Sequence, residues 1–340
     1  MPSFPDKSAR DLRAGRPYPT PTDARIAVVV NDDAPSASCI NLLVAQAGVV
    51  VTTDELLKEV LPHVEVLFVW PFLLPSLQRE WQRASSLRWI HAATAGVDGV
   101  LFRELTESSV QVTNSRGIFD DSIAEYVLGL LLAFAKDLPH TLELQRRHEW
   151  NHRDTERLFE RRVLVLGAGP IGRAIARLTQ QVHMTVELMG QRAREDAEFG
   201  SILGRADFHR ALRRADFVVI AAPLTETTRG MFDRAAFSAM SPHARLINIG
   251  RGPIIDESEL LAAIRDDRLA GAALDVFSEE PLPDNHPFWS EERIIVSPHM
   301  SADFLGWQEA VTDLFLQNLR RYGEGEPLLN LVEKRHGHGG

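Results

Sequence analysis

Residues 163–178 read Val163-Leu164-Val165-Leu166, then Gly167-Ala168-Gly169-Pro170-Ile171-Gly172, then Arg173-Ala174-Ile175-Ala176-Arg177-Leu178. An apolar run, a glycine-rich turn and a helix-forming run in that order predict a strand, a tight turn and a helix. This is the context in which GxGxxG signals a dinucleotide site. Gly167 permits the turn, Gly169 lets backbone approach a pyrophosphate, and Gly172 allows close packing of helix on strand. Unpaired N–H groups and the helix dipole then attract phosphate. Pro170 fits the first helical position, where no N–H is needed, and Ile171 completes the turn.

Outward from this turn, buried strands are predicted at Thr185–Met189, Phe217–Ala221, Arg245–Ile249, Ala272–Val276 and Ile294–Val296, most of them separated by helical stretches. Such alternation predicts a parallel, doubly wound α/β sheet covered by helices. Upstream, Arg25–Val30, Val50–Thr53, Val64–Val69, Leu87–His91 and Val110–Asn114 form a smaller α/β unit without a glycine-rich phosphate loop. Between the two, Ser122-Ile123-Ala124-Glu125 has capping-box spacing, and the apolar run Tyr126–Phe134 continues it as a mostly buried helix. A last helix, about Trp307–Tyr322, lies beyond the nucleotide unit and is expected to fold back on the N-terminal one. The predicted division is 1–115 and 305–340 for the smaller domain and 116–304 for the dinucleotide-binding domain.

The 340 residues suffice for two domains, and the formal net charge of −10 argues against a nucleic-acid partner. Arginines at 146, 147, 153, 157, 161 and 162 alternate with Glu149, Asp154, Glu156 and Glu160, as on a solvated mixed face. The single cysteine, Cys39, excludes internal disulfides, suits a reducing compartment and reads as helix-borne core filler. Residues 1–24 carry charges and prolines without an apolar core, so neither signal peptide nor anchor is expected. No apolar run approaches the ~20 residues that span a bilayer. The expectation is a soluble, cytoplasmic protein.

Four ordered stretches resemble the D-isomer-specific 2-hydroxyacid dehydrogenases: Val165–Arg173, Ala222-Pro223-Leu224-Thr225-Glu226-Thr227-Thr228, Ile247–Gly252 through Asp256, and Leu274-Asp275-Val276-Phe277-Ser278-Glu279-Glu280-Pro281. Ser297-Pro298-His299 completes the set, and the likeness covers about residues 25–333. It implies two Rossmann-like domains, with the doubly wound nucleotide domain inserted into a smaller flavodoxin-like substrate domain. The L-lactate and malate dehydrogenases, similar in chemistry, carry the glycine turn near the N-terminus instead.

The resemblance implies hydride transfer between a nicotinamide cofactor and a 2-oxo acid or D-2-hydroxy acid. Arg251 is placed to bind the substrate carboxylate, which its planar fork can pair bidentately. Gly250 and Gly252 would let backbone come close to a ligand. His299, at a strand's end, is the general acid/base, since imidazole exchanges protons near neutrality. Glu280 would hold the ring and favour its protonated form. The similar formate dehydrogenases have glutamine there, so a carboxylate points to alcohol–carbonyl chemistry. Ala95, Gly96 and Val97 lie in a loop resembling the one whose amides bind the carboxylate, and Trp70 and Phe72 fall where relatives line the substrate pocket, with core packing as the other reading of these two rings. Asp275 falls at the nicotinamide carboxamide, with a loop or strand-end cap as its other reading, while Pro223, Thr228, Ile249 and Gly250 fall along the cofactor cleft. Met300-Ser301-Ala302-Asp303 departs from the glycine-rich continuation of many relatives.

Cofactor choice turns on the end of the second nucleotide-binding strand. Where NAD-using relatives carry an aspartate, this chain has Gly190, followed by Gln191, Arg192 and Arg194. Losing the acid and gaining guanidinium groups suits the 2′-phosphate of NADP, with NAD possible. Glu187, twenty residues after Gly167, competes as a ribose acid but lies mid-strand. His148-Glu149-Trp150-Asn151-His152 spells the zinc-protease HExxH, in a region where relatives carry a subunit-contact arm; it is read as a chance match, and no metal is expected. His336 and His338 could bind only stray metal. The family is usually dimeric, so a homodimer is expected. The alternative is a dinucleotide-sensing, corepressor-like binding protein without turnover. Glyoxylate, hydroxypyruvate and phenylpyruvate all remain open as substrates.

Overall fold

The computed structural model describes residues 25–31, 35–46 and 48–334. The expectations for residues 1–24, and for His336 and His338, lie outside these. The chain divides into one unit of 1–118 with 305–340 and a second of 119–304.

In the first unit, β1 (Ile26–Val30), β2 (Val49–Thr53), β3 (Val66–Val69), β4 (Trp89–Ala92) and β5 (Gln111–Thr113) form one sheet in the order β2-β1-β3-β4-β5. All its pairings are parallel. This is the flavodoxin-like order, with its topological switch between β1 and β3. Strands β1, β3 and β4 are buried throughout, which is why they read as unbroken apolar runs. Helix Trp307–Glu324 packs on this sheet: Phe315 stacks on Phe68 at 4.3 Å and on Trp89 at 5.4 Å. The chain end then pairs with β5, Leu331 bridging Thr113 and the Val332 amide bonding the Val112 carbonyl.

His91 lies fully buried among these rings. The Thr113 hydroxyl accepts from the Trp89 indole N–H at 2.8 Å; on the other side of the ring Ser115 Oγ gives its hydrogen to the Ala92 carbonyl and faces His91 Nε2 at 3.5 Å, so Nε2 carries the ring hydrogen and Nδ1 accepts from Thr113 at 2.7 Å. Burial without a charge partner pushes the His91 pKa down to about 3, leaving the ring neutral.

The second unit contains β6 (Arg162–Leu166), β7 (Thr185–Met189), β8 (Arg194–Asp196), β9 (Gly200–Ile202), β10 (Phe217–Ile220), β11 (Arg245–Asn248), β12 (Gly271–Leu274) and β13 (Ile294–Val296). Six of them make a parallel sheet in the order β13-β12-β11-β10-β6-β7. The order reverses beside β6, where ligands bind open α/β sheets. Strand ends differ from the sequence reading by a residue or two, as hydrogen-bond criteria trim frayed ends. The small antiparallel hairpin β8–β9 was not anticipated, since two three-residue strands with one apolar side chain, Ile202, between them carry no hydrophobic period.

The helix after residue 118 departs from expectation twice. It spans Asp120–Ala135, so Ser122 lies inside the first turn and forms no capping box; Asp120 and Asp121 favour the earlier start by facing the helix dipole. Within Tyr126–Phe134 only Val127 and Leu131 are buried, and Leu132 is exposed. The run therefore buries one face rather than being mostly enclosed. Cys39 is buried in helix Ala37–Val44, as its neighbours suggested.

Candidate active site

The glycine turn joins β6 to helix Pro170–Gln181 at the switch point, and its three glycines have distinct reasons. Gly167 has φ 113°, and a Cβ there would lie 2.6 Å from the Ala221 carbonyl oxygen at the end of β10. A Cβ on Gly172 would fall 1.7 Å from the Gly167 carbonyl oxygen. At Gly169 it would meet nothing within 4 Å. Two glycines thus permit packing, while the third borders open space at a helix N-terminus with Pro170 at its first position. A pyrophosphate fits that combination of cradle and orphan amides.

At the tip of β7, Gly190 is approached by Arg194: a Cβ there would lie 3.0 Å from Arg194 Nη1. Gln191, Arg192 and Arg194 are exposed. Glu187, the competing ribose acid, is engaged by Arg214 at 2.7 Å. Across the turn, Thr228 donates to the Pro223 carbonyl at 2.7 Å and accepts from the Thr225 amide at 2.8 Å, fixing that loop.

Ile249 and Gly250 are buried at the end of β11, and Arg251 follows, partly exposed. Asn248 clamps this corner, accepting from the Gly250 amide at 3.0 Å and donating to the Arg251 carbonyl at 3.1 Å. Arg251 Nη1 donates to the Gly250 carbonyl at 2.7 Å. The flanking glycines serve the protein's own backbone rather than the open approach to a ligand expected from the sequence. A Cβ on Gly250 would lie 2.7 Å from the Ala222 carbonyl oxygen, and one on Gly252 would lie 1.9 Å from the Phe277 carbonyl carbon. The second contact ties the arginine loop to the segment that carries Glu280.

Glu280 and His299 meet: Nδ1 lies 2.7 Å from Glu280 Oε2, and Glu280 Oε1 accepts from the Phe277 amide at 2.8 Å. Burial by itself would push the Glu280 carboxyl up. The bonds from His299 and Phe277, with the charges of His299 and Arg251, outweigh it and hold the group below its ordinary value. His299 has φ 52°, a left-handed conformation that non-glycine residues hold only when the surroundings fix it.

What fixes it is Asp275, for which the sequence offered both a nicotinamide contact and a loop or strand-end cap. Its buried carboxylate accepts from Ser297 Oγ at 2.7 Å and from the Met300 and Ser301 amides at 2.9 Å, gripping the loop on both sides of His299. Three of a carboxylate's roughly four acceptor positions are thereby used. Tyr126 adjoins Ser297; burial, then the Asp275 charge, push its phenol up against the opposing Ser297 bond.

In the first unit, the loop after β4 turns its carbonyls inward. Those of Thr94, Ala95 and Gly96 accept from the Ser115 amide, Asn114 Nδ2 and Thr94 Oγ1. Among the described residues no acceptor takes the amides of Ala95, Gly96 or Val97, which suits an anion. Of the two rings left between pocket wall and core, Trp70 is enclosed, 5% exposed, stacked on Trp307 at 5.4 Å and edge-on to Phe68. Phe72 remains partly exposed beyond the end of β3.

The HExxH stretch follows helix Leu138–Arg146 instead of lying on it, and His148 has φ 59°. His148 and His152 therefore do not stand one helical turn apart, the geometry a zincin needs.

The profile of the family described as D-isomer specific 2-hydroxyacid dehydrogenase, NAD binding domain, matches residues 128–301. A hydroxyphenylpyruvate reductase of Plectranthus scutellarioides is 30% identical over 253 residues, covering 72% of this chain and 78% of that protein. A glyoxylate reductase of Pyrococcus furiosus is 29% identical, covering 76% and 79%. An NADPH-dependent glyoxylate/hydroxypyruvate reductase of Sinorhizobium meliloti, solved with NADP and sulfate, superposes with a TM-score of 0.79 at 25% identity, covering 92% of this chain and 99% of that one.

Proposed function

Because this chain belongs to the D-isomer specific 2-hydroxyacid dehydrogenase family and is an NAD(P)-dependent enzyme of it, we propose that it reduces a small 2-oxo acid with NADPH in preference to NADH. The observation that carries this reading is the Glu280–His299 hydrogen bond, made within one unit beside the Arg251 loop. A carboxylate on Nδ1 orients the imidazole and leaves Nε2 as the nitrogen that exchanges a proton.

Gly169 and the first turn of helix Pro170–Gln181 hold the pyrophosphate in this reading, and Pro223, Thr228, Ile249 and Gly250 border the cofactor. When bound, the nicotinamide supplies the hydride that adds to the carbonyl carbon. In the second unit Arg251 pairs the substrate carboxylate; in the first, the amides of Ala95, Gly96 and Val97 are assigned as anion donors for the substrate. His299 gives its proton to the forming alkoxide oxygen and takes it back in the oxidative direction, while Glu280 stays ionised and steadies the ring. Asp275 keeps one acceptor position for the nicotinamide amide while it braces the His299 loop. Phe72, rather than the enclosed Trp70, is the ring we assign to the substrate's distal end. NADPH preference is supported by Gly190 in place of an acid and by Gln191, Arg192 and Arg194 around it.

A homodimer is supported by apolar side chains exposed between positions 132 and 159 of the second unit: Leu132, Leu138, Leu142, Phe159 and the fully exposed Trp150. Placement in the cytoplasm rests on the unpaired Cys39. Among the described residues no helix is long and apolar enough to cross a membrane.

The test is initial-rate oxidation of NADPH and NADH with glyoxylate, hydroxypyruvate and phenylpyruvate. Turnover with NADPH preferred is expected. Nucleotide binding with no turnover on any of the three acids would overturn the reading in favour of a dinucleotide sensor.

A further inference from the structure

Between Gly190 and Leu203 the chain leaves β7 and returns to it. Both ends are pinned, Gly190 N–H to the Leu203 carbonyl and Leu203 N–H to the Leu188 carbonyl, each at 2.9 Å. Between them the hairpin β8–β9 has only three residue pairs, Arg194 with Ile202, Glu195 with Ser201 and Asp196 with Gly200. A ribbon that short has little stability of its own. Of its residues only Ile202 is buried.

Its side chains supply the anchor. Both oxygens of Asp196 accept from the guanidinium of Arg173, in the first turn of the nucleotide-binding helix, and these two side chains are only 11% and 24% exposed. Asp196 Oδ1 also accepts from the amides of Glu198 and Phe199 at 3.1 Å, closing the hairpin turn. Glu198 accepts from Arg173 at 3.1 Å and from Arg177 Nε at 2.5 Å. Arg173 and Arg177, four residues apart, stand on one helix face. The Arg173 guanidinium also lies 5.2 Å from the Phe199 ring centre.

Two arginines of this region are therefore neutralised and two are not. Among the described residues, Arg192 and Arg194 form no ion pair. Residues two apart on a strand share a face, so fixing Asp196 against the helix fixes the side on which Arg194 emerges. That side is Gly190: a Cβ placed there would lie 3.0 Å from Arg194 Nη1 and 3.7 Å from Ala168 Cβ in the glycine turn.

We propose that Asp196, anchored on Arg173 with Glu198 and Arg177 in support, is a positioning residue for cofactor choice, holding Arg194 where a 2′-phosphate would be read. The inference rests on the NADPH preference proposed above. It makes a counterintuitive demand: an acid beside a phosphate site strengthens phosphate binding. Acting only through its charge, Asp196 would weaken it, and the neutral variant would bind phosphate more tightly.

The experiment is calorimetric titration of the full chain with adenosine 2′,5′-bisphosphate and with 5′-AMP. The readout is the ratio of the two Kd values, which is insensitive to the fraction of protein folded because both ligands need the same folded unit. In Asp196→Asn the preference for the bisphosphate is expected to fall about tenfold with AMP binding retained, a loss comparable to one charge-assisted pair. Glu198→Gln is expected to lower it about threefold, and Asp196→Glu to recover most of it. A ratio unchanged or raised in Asp196→Asn, or equal losses for both ligands, would overturn the proposal. A wild-type protein that binds both ligands equally would instead refute the NADPH preference itself, and the proposal with it.

Discussion

His91 should make the protein acid-sensitive well above the range in which its carboxylates titrate. In the folded protein its pKa is about 3, because burial among Trp89, Phe68 and Phe315 disfavours the imidazolium, and Nδ1 already accepts the Thr113 hydrogen. Once unfolded, the ring titrates near its ordinary value of about 6.5. Below that pH the unfolded chain binds a proton the native state refuses, so stability falls as pH drops through about 6.5 and stops falling only below the folded value. Between about pH 7.5 and about pH 5 the loss from this group is roughly 2 kcal/mol, at 1.36 kcal/mol per unit of difference. The result barely changes if the folded value is nearer 4, since the native ring is neutral at pH 5 in either case.

The assay is urea unfolding at both pH values for wild type and His91→Asn. Asparagine keeps an acceptor for Thr113 but cannot titrate. The variant will be less stable outright, because a smaller side chain leaves a cavity. The informative quantity is the difference between the two pH dependences, which cancels that loss. Wild type should lose about 2 kcal/mol more than the variant on acidification. A difference below about 0.5 kcal/mol would refute the reasoning, meaning that the buried ring accepts its proton without cost.

The glycine turn predicts opposite outcomes three residues apart. Gly172→Ala drives a Cβ into the Gly167 carbonyl, and should lower unfolding stability by about 2 kcal/mol or more and abolish nucleotide binding. Gly169→Ala meets open space, so its melting temperature should stay near wild type while NADPH affinity, read by fluorescence titration, falls about tenfold or more. Glu280→Gln should reduce kcat about a hundredfold or more with little change in KM, because an amide facing Nδ1 no longer holds the tautomer that exchanges a proton at Nε2. With Glu280 held below its ordinary value, it keeps its charge to lower pH than an unpaired carboxyl would, and any acid loss it contributes to the wild-type kcat profile should be displaced to lower pH accordingly.

The local chemistry of this protein was written where its letters are close together. Val163–Gly172 announced a strand, a turn and a helix start because each depends on backbone preferences within a few residues. Arg251, Glu280 and His299 were legible only as members of ordered motifs, and the contact between the last two spans nineteen positions. Elsewhere a distant partner or a helix end decided between readings that the letters left open. Trp70 is enclosed because Trp307 stacks on it. Gly250 and Gly252 are small because Ala222 and Phe277 pass close by, which no feature of the glycines reveals. The HExxH letters lost their meaning once helix Leu138–Arg146 stopped short of them.

The sequence by itself determined the strand runs, the phosphate turn, the absence of an acid at Gly190 and the residue types for proton and carboxylate chemistry. These are properties of covalent geometry and side-chain type, carried by each short segment wherever it lies. Only the tertiary structure decided that Asp275 grips the His299 loop, that Asp196 ties a hairpin to the nucleotide helix, and that His91 is sealed among aromatic rings. Each of these depends on bringing together residues roughly twenty or more positions apart, and hydrogen bonding and desolvation act through space, within a few ångströms, regardless of the length of chain between the partners.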